Sequence, residues 1–223
     1  MVARARKAAG AGSVVRPKEF DPMRRSLAAA FLLAVALTAG PRLALAQSTP
    51  DAAAADTNAY WARQFAAAGD PYVAPAVVDI ADATQTKCGT ITPQIGPGAY
   101  CGADNTIYLV PAYFNAADPA SAFAFDTVLA HEWGHAVQHN LGIGGTSQQL
   151  ELQADCLGGA YLRDAASRGL FSQEMLTQSV GLAAQSGDLS FVPDQGEEHG
   201  SGADRGISMM QGYQGGPQAC GVL

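Results

Sequence analysis

The spacing of apolar residues changes part-way along this 223-residue chain. From Ala76 to Ala81 and from Thr106 to Val110, β-branched residues form short runs. Gly, Pro and Asp104-Asn105 bound these runs, as expected of strands separated by turns. From Ser121 to Asn140 the apolar positions recur at helical spacing, and Gly142 fits the stop. A short loop leads to Ser147, an N-cap residue type, which opens a second helix running to about Arg168 and stopped by Gly169. Ser172 predicts a third helix through about Gln185, and Thr57 caps an earlier one from Asn58 to Ala68. Residues 47–56 are Ala, Asp, Ser and Pro around one Gln and Thr and read as a disordered leader. From Gly187 onward, Gly, acidic and polar residues show little apolar periodicity, and no element is predicted there. The pattern is that of an α+β domain over residues 57–223, with two adjoining helices and a short β-sheet.

Charge and cysteine content divide the chain further. Eight of its 13 Lys and Arg precede residue 47; beyond that point 5 basic residues face 18 acidic ones, a net of −13. Such a surface disfavours nucleic acid and anionic membrane as partners. The basic start has its own explanation. Met23-Arg24-Arg25, the apolar run Leu27 to Ala39 and the small residues of Ala44-Leu45-Ala46 read as a signal peptide, residues 23–46. Cleavage after Ala46 leaves no stable membrane anchor, and residues 1–22 read as an extension ahead of a true start at Met23. The expected location is periplasmic or secreted. Four cysteines remain, an even number in an exported chain, which points to two disulfides. Three pairings are possible; Cys88–Cys101 is preferred as a local staple and Cys156–Cys220 as a tie for the C-terminal tail.

The first long helix carries the chemistry. His131-Glu132-Trp133-Gly134-His135 is an HExxH sequence, which sets two imidazoles on one helical face about 6 Å apart along the axis. Two such side chains can share one zinc ion, with Glu132 placed as general base. A catalytic zinc needs a third protein ligand. His139 lies about 12 Å along the helix from His131, too far to share the ion. Glu151 returns to the level of His135 on the antiparallel second helix. Asp155, one turn on, is level with His131 and suits a carboxylate that holds its outer nitrogen.

HEWGHAVQ, ELQADC and the later HGSGADR together resemble the bacterial family called putative neutral zinc metallopeptidases, as does the pair of cysteines around Cys88-Gly89 and Tyr100-Cys101-Gly102. The resemblance spans about residues 70–220. It implies a small zincin-like domain of gluzincin type, with Glu151 as the third ligand and Asp155 orienting a ligand histidine. The segment from Gly206 to Gly216 departs from the usual text of that family, where aromatic and Arg residues are common, and so does the wall it would give the substrate. The function expected is hydrolysis of a peptide or protein substrate by a zinc-activated water, with Zn2+ as cofactor. His199 is assigned as second donor to the oxyanion, against Tyr100, Tyr108, Tyr113 and Arg205 as rivals. Two other readings stand beside it: an exported zinc protein that does not cleave, and a zinc amidase of cell-wall peptides.

Overall fold

The computed structural model describes residues 49–115, 118–186 and 199–223. The proposed extension and signal peptide lie outside the described residues. The fold is α+β. Among the described residues, helix α1 (Pro50–Ala68) is followed by five short strands: β1 (Ala76–Asp79), β2 (Thr84–Thr86), β3 (Gly89–Ile91), β4 (Gly98–Cys101) and β5 (Thr106–Leu109). Four helices follow, α2 (Pro119–Leu141), α3 (Ser147–Ser167), α4 (Gln173–Gln185) and α5 (Gly202–Gly215).

The leader reading fails for residues 50–56, which are the first two turns of α1. Thr49 caps this helix, accepting from Ala52 N, and Pro50 and Asp51 suit its first turn. Thr57 therefore caps nothing: it is buried, and its hydroxyl donates to Ala53 O within the helix. An alanine-rich stretch has low side-chain entropy to lose and is a good helix former, and its polarity hid this. The caps of α2 and α3 are Asp118 and Thr146, the latter one residue before the Ser147 expected.

Two small sheets form, one in the order β1-β5-β4 and one a β2–β3 hairpin. In the larger, β5 is parallel to β1 and antiparallel to β4. All four residues of β5 are buried, as a central strand requires. The Cys88–Cys101 disulfide joins the hairpin to β4. Ile107 and Leu109 of β5 share a core with Trp61 and Phe65 of α1, Leu129, Trp133 and Val137 of α2, and Leu157 and Leu162 of α3.

The largest omission of the sequence reading is α5. Its buried residues, Arg205, Gly206, Met209 and Gly212, include the helical repeat 205, 209, 212, but that repeat is spelled Arg-Met-Gly and has no hydrophobic signature. The helix packs against α3 backbone to backbone. A Cβ on Gly159 would land on the carbonyl oxygen of Met209, and one on Gly212 on that of Cys156. The Cys156–Cys220 disulfide clasps the end of this segment to α3. Gly212→Ala is therefore expected to force the two helices apart and destabilise the protein by about 3 kcal/mol or more, at the upper end of overpacking costs. Denaturant unfolding checks this, and a loss within experimental error of zero would contradict the close approach.

Candidate metal centre

The antiparallel pairing of α2 and α3 places each candidate ligand. Gly134, inside the HExxH turn, is where the helices touch: a Cβ there would stand 2.7 Å from Ala154 O. This contact brings His131 and His135 opposite Glu151. His131 Nε2 lies 3.2 Å from Glu151 Oε2, and His135 Nε2 lies 3.3 Å from Glu151 Oε1. Among the described residues, these three are the group whose ligand atoms could hold a metal ion, all lying within 4.8 Å of one another. Donors around a tetrahedral zinc with bonds of about 2.0–2.1 Å are separated by about 3.3 Å, so the spacing and the nitrogen–oxygen donor set both fit zinc. His139 is exposed, sits edge-on to Tyr100 at 6.1 Å and is not in the group.

Asp155 lies behind His131, with Oδ1 2.9 Å from His131 Nδ1. Arg205, from α5, grips the same carboxylate with two donors, Nε to Oδ2 at 2.7 Å and Nη2 to Oδ1 at 2.9 Å. Its Nη1 donates to Ser186 O at 3.1 Å. Arg205 Nη2 also approaches His131 Nδ1 to 3.4 Å. We read that as two donors sharing Asp155 Oδ1, since a nitrogen that donates to Asp155 has no lone pair left for Arg205. The sequence offered Arg205 as a rival oxyanion donor; the structure spends its guanidinium on Asp155. The signal for that role was present in HGSGADR, but no spacing rule connects residue 205 to residue 155.

Gln138, which the sequence reading left without a role, lies with Oε1 2.9 Å from His135 Nδ1. Glu132 is buried and lies against β4, close enough that a Cβ on Gly98 would come within 3.2 Å of its Oε1. A cleft of about 740 Å³ opens over the group, lined by Gly98, Ala99 and Tyr100 of β4, by Glu132, and by His199. Met209 and Arg205 bring α5 into the same lining, so the segment that departs from the family text does supply part of the wall.

The electrostatics of the site are dominated by carboxylates. Glu132, Glu151 and Asp155 face a single guanidinium. Burial disfavours charge on His131, but Asp155, by charge and hydrogen bond, together with Glu151 and Glu132, lifts its pKa well above the ordinary imidazole value. Burial raises Glu151, but the two imidazoles outweigh it and hold the carboxyl far below the usual range.

Comparison with known proteins decides the family. The sequence profile of the family described as "Putative neutral zinc metallopeptidase" matches residues 42–222. The chain belongs to this family. It is 31% identical over 198 residues to "Uncharacterized protein YpfJ" of Escherichia coli (strain K12), a match covering 76% of this chain and 68% of that one. It is also 31% identical over 169 residues to "Uncharacterized protein Mb2605" of Mycobacterium bovis, covering 60% of this chain and 57% of the relative. No solved structure matches the chain.

A metal-ligating imidazole must be neutral, whereas Asp155, Glu151 and Glu132 favour the protonated form of His131. Zinc uptake is thus expected to release about one proton from His131, and affinity to rise with pH while His131 remains protonated in the metal-free chain. Calorimetry in buffers of different ionisation enthalpy measures this; uptake with no proton released would contradict the charge state.

Proposed function

We propose that this chain is an exported zinc-dependent peptidase in which His131, His135 and Glu151 hold the metal and Glu132 is the general base. The observation that carries the reading is that the Glu132 carboxylate lines the same cleft as the three converging ligands. When bound, zinc supplies Lewis acidity that makes water a stronger acid near neutral pH and polarises a carbonyl. Glu132 accepts the proton of the attacking water at a carboxylate oxygen and hands it to the departing amine nitrogen. Its burial beside β4 limits the rotamers from which it can do so. Asp155 holds His131 by its outer nitrogen, so the inner nitrogen keeps its aim at the metal. The substrate this reading implies is a peptide or protein segment bound in the cleft of about 740 Å³ over the group.

His199 is the donor we assign to the developing oxyanion. It stands exposed in the cleft lining, two residues before Ser201, the cap of α5. Of the other candidates, the Tyr108 hydroxyl donates to Asp104, the Tyr100 hydroxyl to Asn105, and Arg205 to Asp155 and Ser186. Tyr113 is exposed on the short turn after β5 and is not among the residues of the cleft. Export is supported by two disulfides, a feature of oxidising compartments. Among the described residues no helix is long and apolar enough to cross a membrane.

Glu132→Gln tests the central assignment. Zinc should stay near one per chain while cleavage of an unstructured protein such as casein falls by about 10²–10⁴-fold or more. Peptidase activity at the wild-type level would remove Glu132 from the role, and turnover of peptidoglycan fragments in place of casein would redirect the substrate. For His199→Ala the expected loss is in kcat, by roughly 10²–10³-fold with unchanged zinc content. A kcat within a few-fold of wild type would return the role to one of the rivals in the cleft lining, Tyr100 or Arg205.

A further inference from the structure

His135 is supported quite differently from His131. Its outer nitrogen faces the side-chain amide of Gln138, not a carboxylate. An amide can be turned either way, so the direction of this bond must be set from elsewhere. Gln138 Nε2 lies 2.7 Å from Leu150 O and 3.1 Å from Gln153 Oε1. A backbone carbonyl only accepts, which fixes the amide nitrogen of Gln138 toward Leu150 and its oxygen toward His135. Gln153 sends its own Nε2 to the backbone carbonyl of Cys220 at 3.1 Å. That carbonyl also only accepts, leaving Gln153 Oε1 to receive Gln138. Two carbonyls thus orient both amides, and His135 is left to donate from Nδ1 with Nε2 turned toward Glu151.

We propose that Gln138 is a positioning residue for His135, its direction set by the Leu150 carbonyl and reinforced, through Gln153, by the Cys220 carbonyl. The proposal rests on the assignment of His131, His135 and Glu151 as zinc ligands. Gln138 is only 4% exposed, so water does not compete for its amide. The relay ends on a covalent anchor, because Cys220 is bonded to Cys156, the residue after Asp155. One disulfide therefore supports both histidines. On one side it adjoins the carboxylate that holds His131; on the other it fixes the carbonyl that orients Gln153, Gln138 and His135 in turn. The neutral relay adds no negative charge to a site already rich in carboxylates.

The test is a double-mutant cycle read as zinc affinity, with the intact, disulfide-bonded chain competing against a chromophoric chelator. Gln138→Leu should weaken zinc by about 10–100-fold, the scale set by loss of a group that orients a ligand. Gln153→Met touches neither a ligand nor Gln138's bonds to His135 and Leu150, and Gln153 is half-buried, so the fold should tolerate it. It should still weaken zinc by roughly several-fold. The double variant should bind no worse than Gln138→Leu alone, because Gln153 acts only through Gln138. Wild-type affinity in Gln138→Leu, or fully additive losses in the double variant, would overturn the relay. A wild-type chain that takes up no zinc would overturn the ligand assignment as well, so the two failures are told apart.

Discussion

Asp155 is 1% exposed, and its two oxygens are divided between His131 of α2 and Arg205 of α5. Taking a carboxylate out of water costs several kcal/mol, recovered only when its partners meet it in good geometry. This anion thus ties three helices together at one point. Helix α2 cannot slide along α3 without separating His131 from Asp155, and α5 cannot lift away without leaving a guanidinium and a carboxylate buried and unpaired. The pair adds little certain stability. Its effect is one of registry, and the metal-ligand group inherits that registry because Glu151 is one helical turn before Asp155.

The helices can meet at this point only because their contact surfaces are nearly bare backbone. Gly134 admits Ala154, and Gly159 and Gly212 admit Met209 and Cys156. Small residues at these crossings shorten the distance that Arg205 must span to reach Asp155. The same close approach explains how a segment with only one large apolar residue among its buried positions still forms a docked helix. Its backbone, more than its side chains, fills the space beside α3.

What could be read in advance follows from this arrangement. The helices α2, α3 and α4 carry apolar faces and capping residues, so their extents were legible to within a residue or two. The meeting of His131 with Asp155 and of His135 with Glu151 followed from rise per residue and a short loop, since both pairs lie on one helical hairpin. Arg205 and Gln138 were beyond that reasoning. Arg205 reaches Asp155 from 50 residues away along the chain, on a helix whose buried positions are Arg, Met and Gly. Gln138 sits on a helix where a polar residue is ordinarily assumed to face water, and only the carbonyls of Leu150 and Cys220 give it a direction. The opening turns of α1 were missed for a simpler reason: alanine between two acids looks the same in a helix and in a tether.

The order in which these parts occur along the chain has a consequence for how the site comes into being. His131, His135 and Glu151 precede Arg205 and Cys220, so a growing polypeptide makes its candidate ligands well before the groups that hold them still. Until α5 docks, Asp155 lacks its guanidinium, and until Cys156 and Cys220 are joined, the Cys220 carbonyl lacks its covalent tie to α3. Synthesis and maturation are thereby separated in time: the HExxH sequence is present early, but its fixed surroundings come only once α5 has docked and Cys156 has met Cys220.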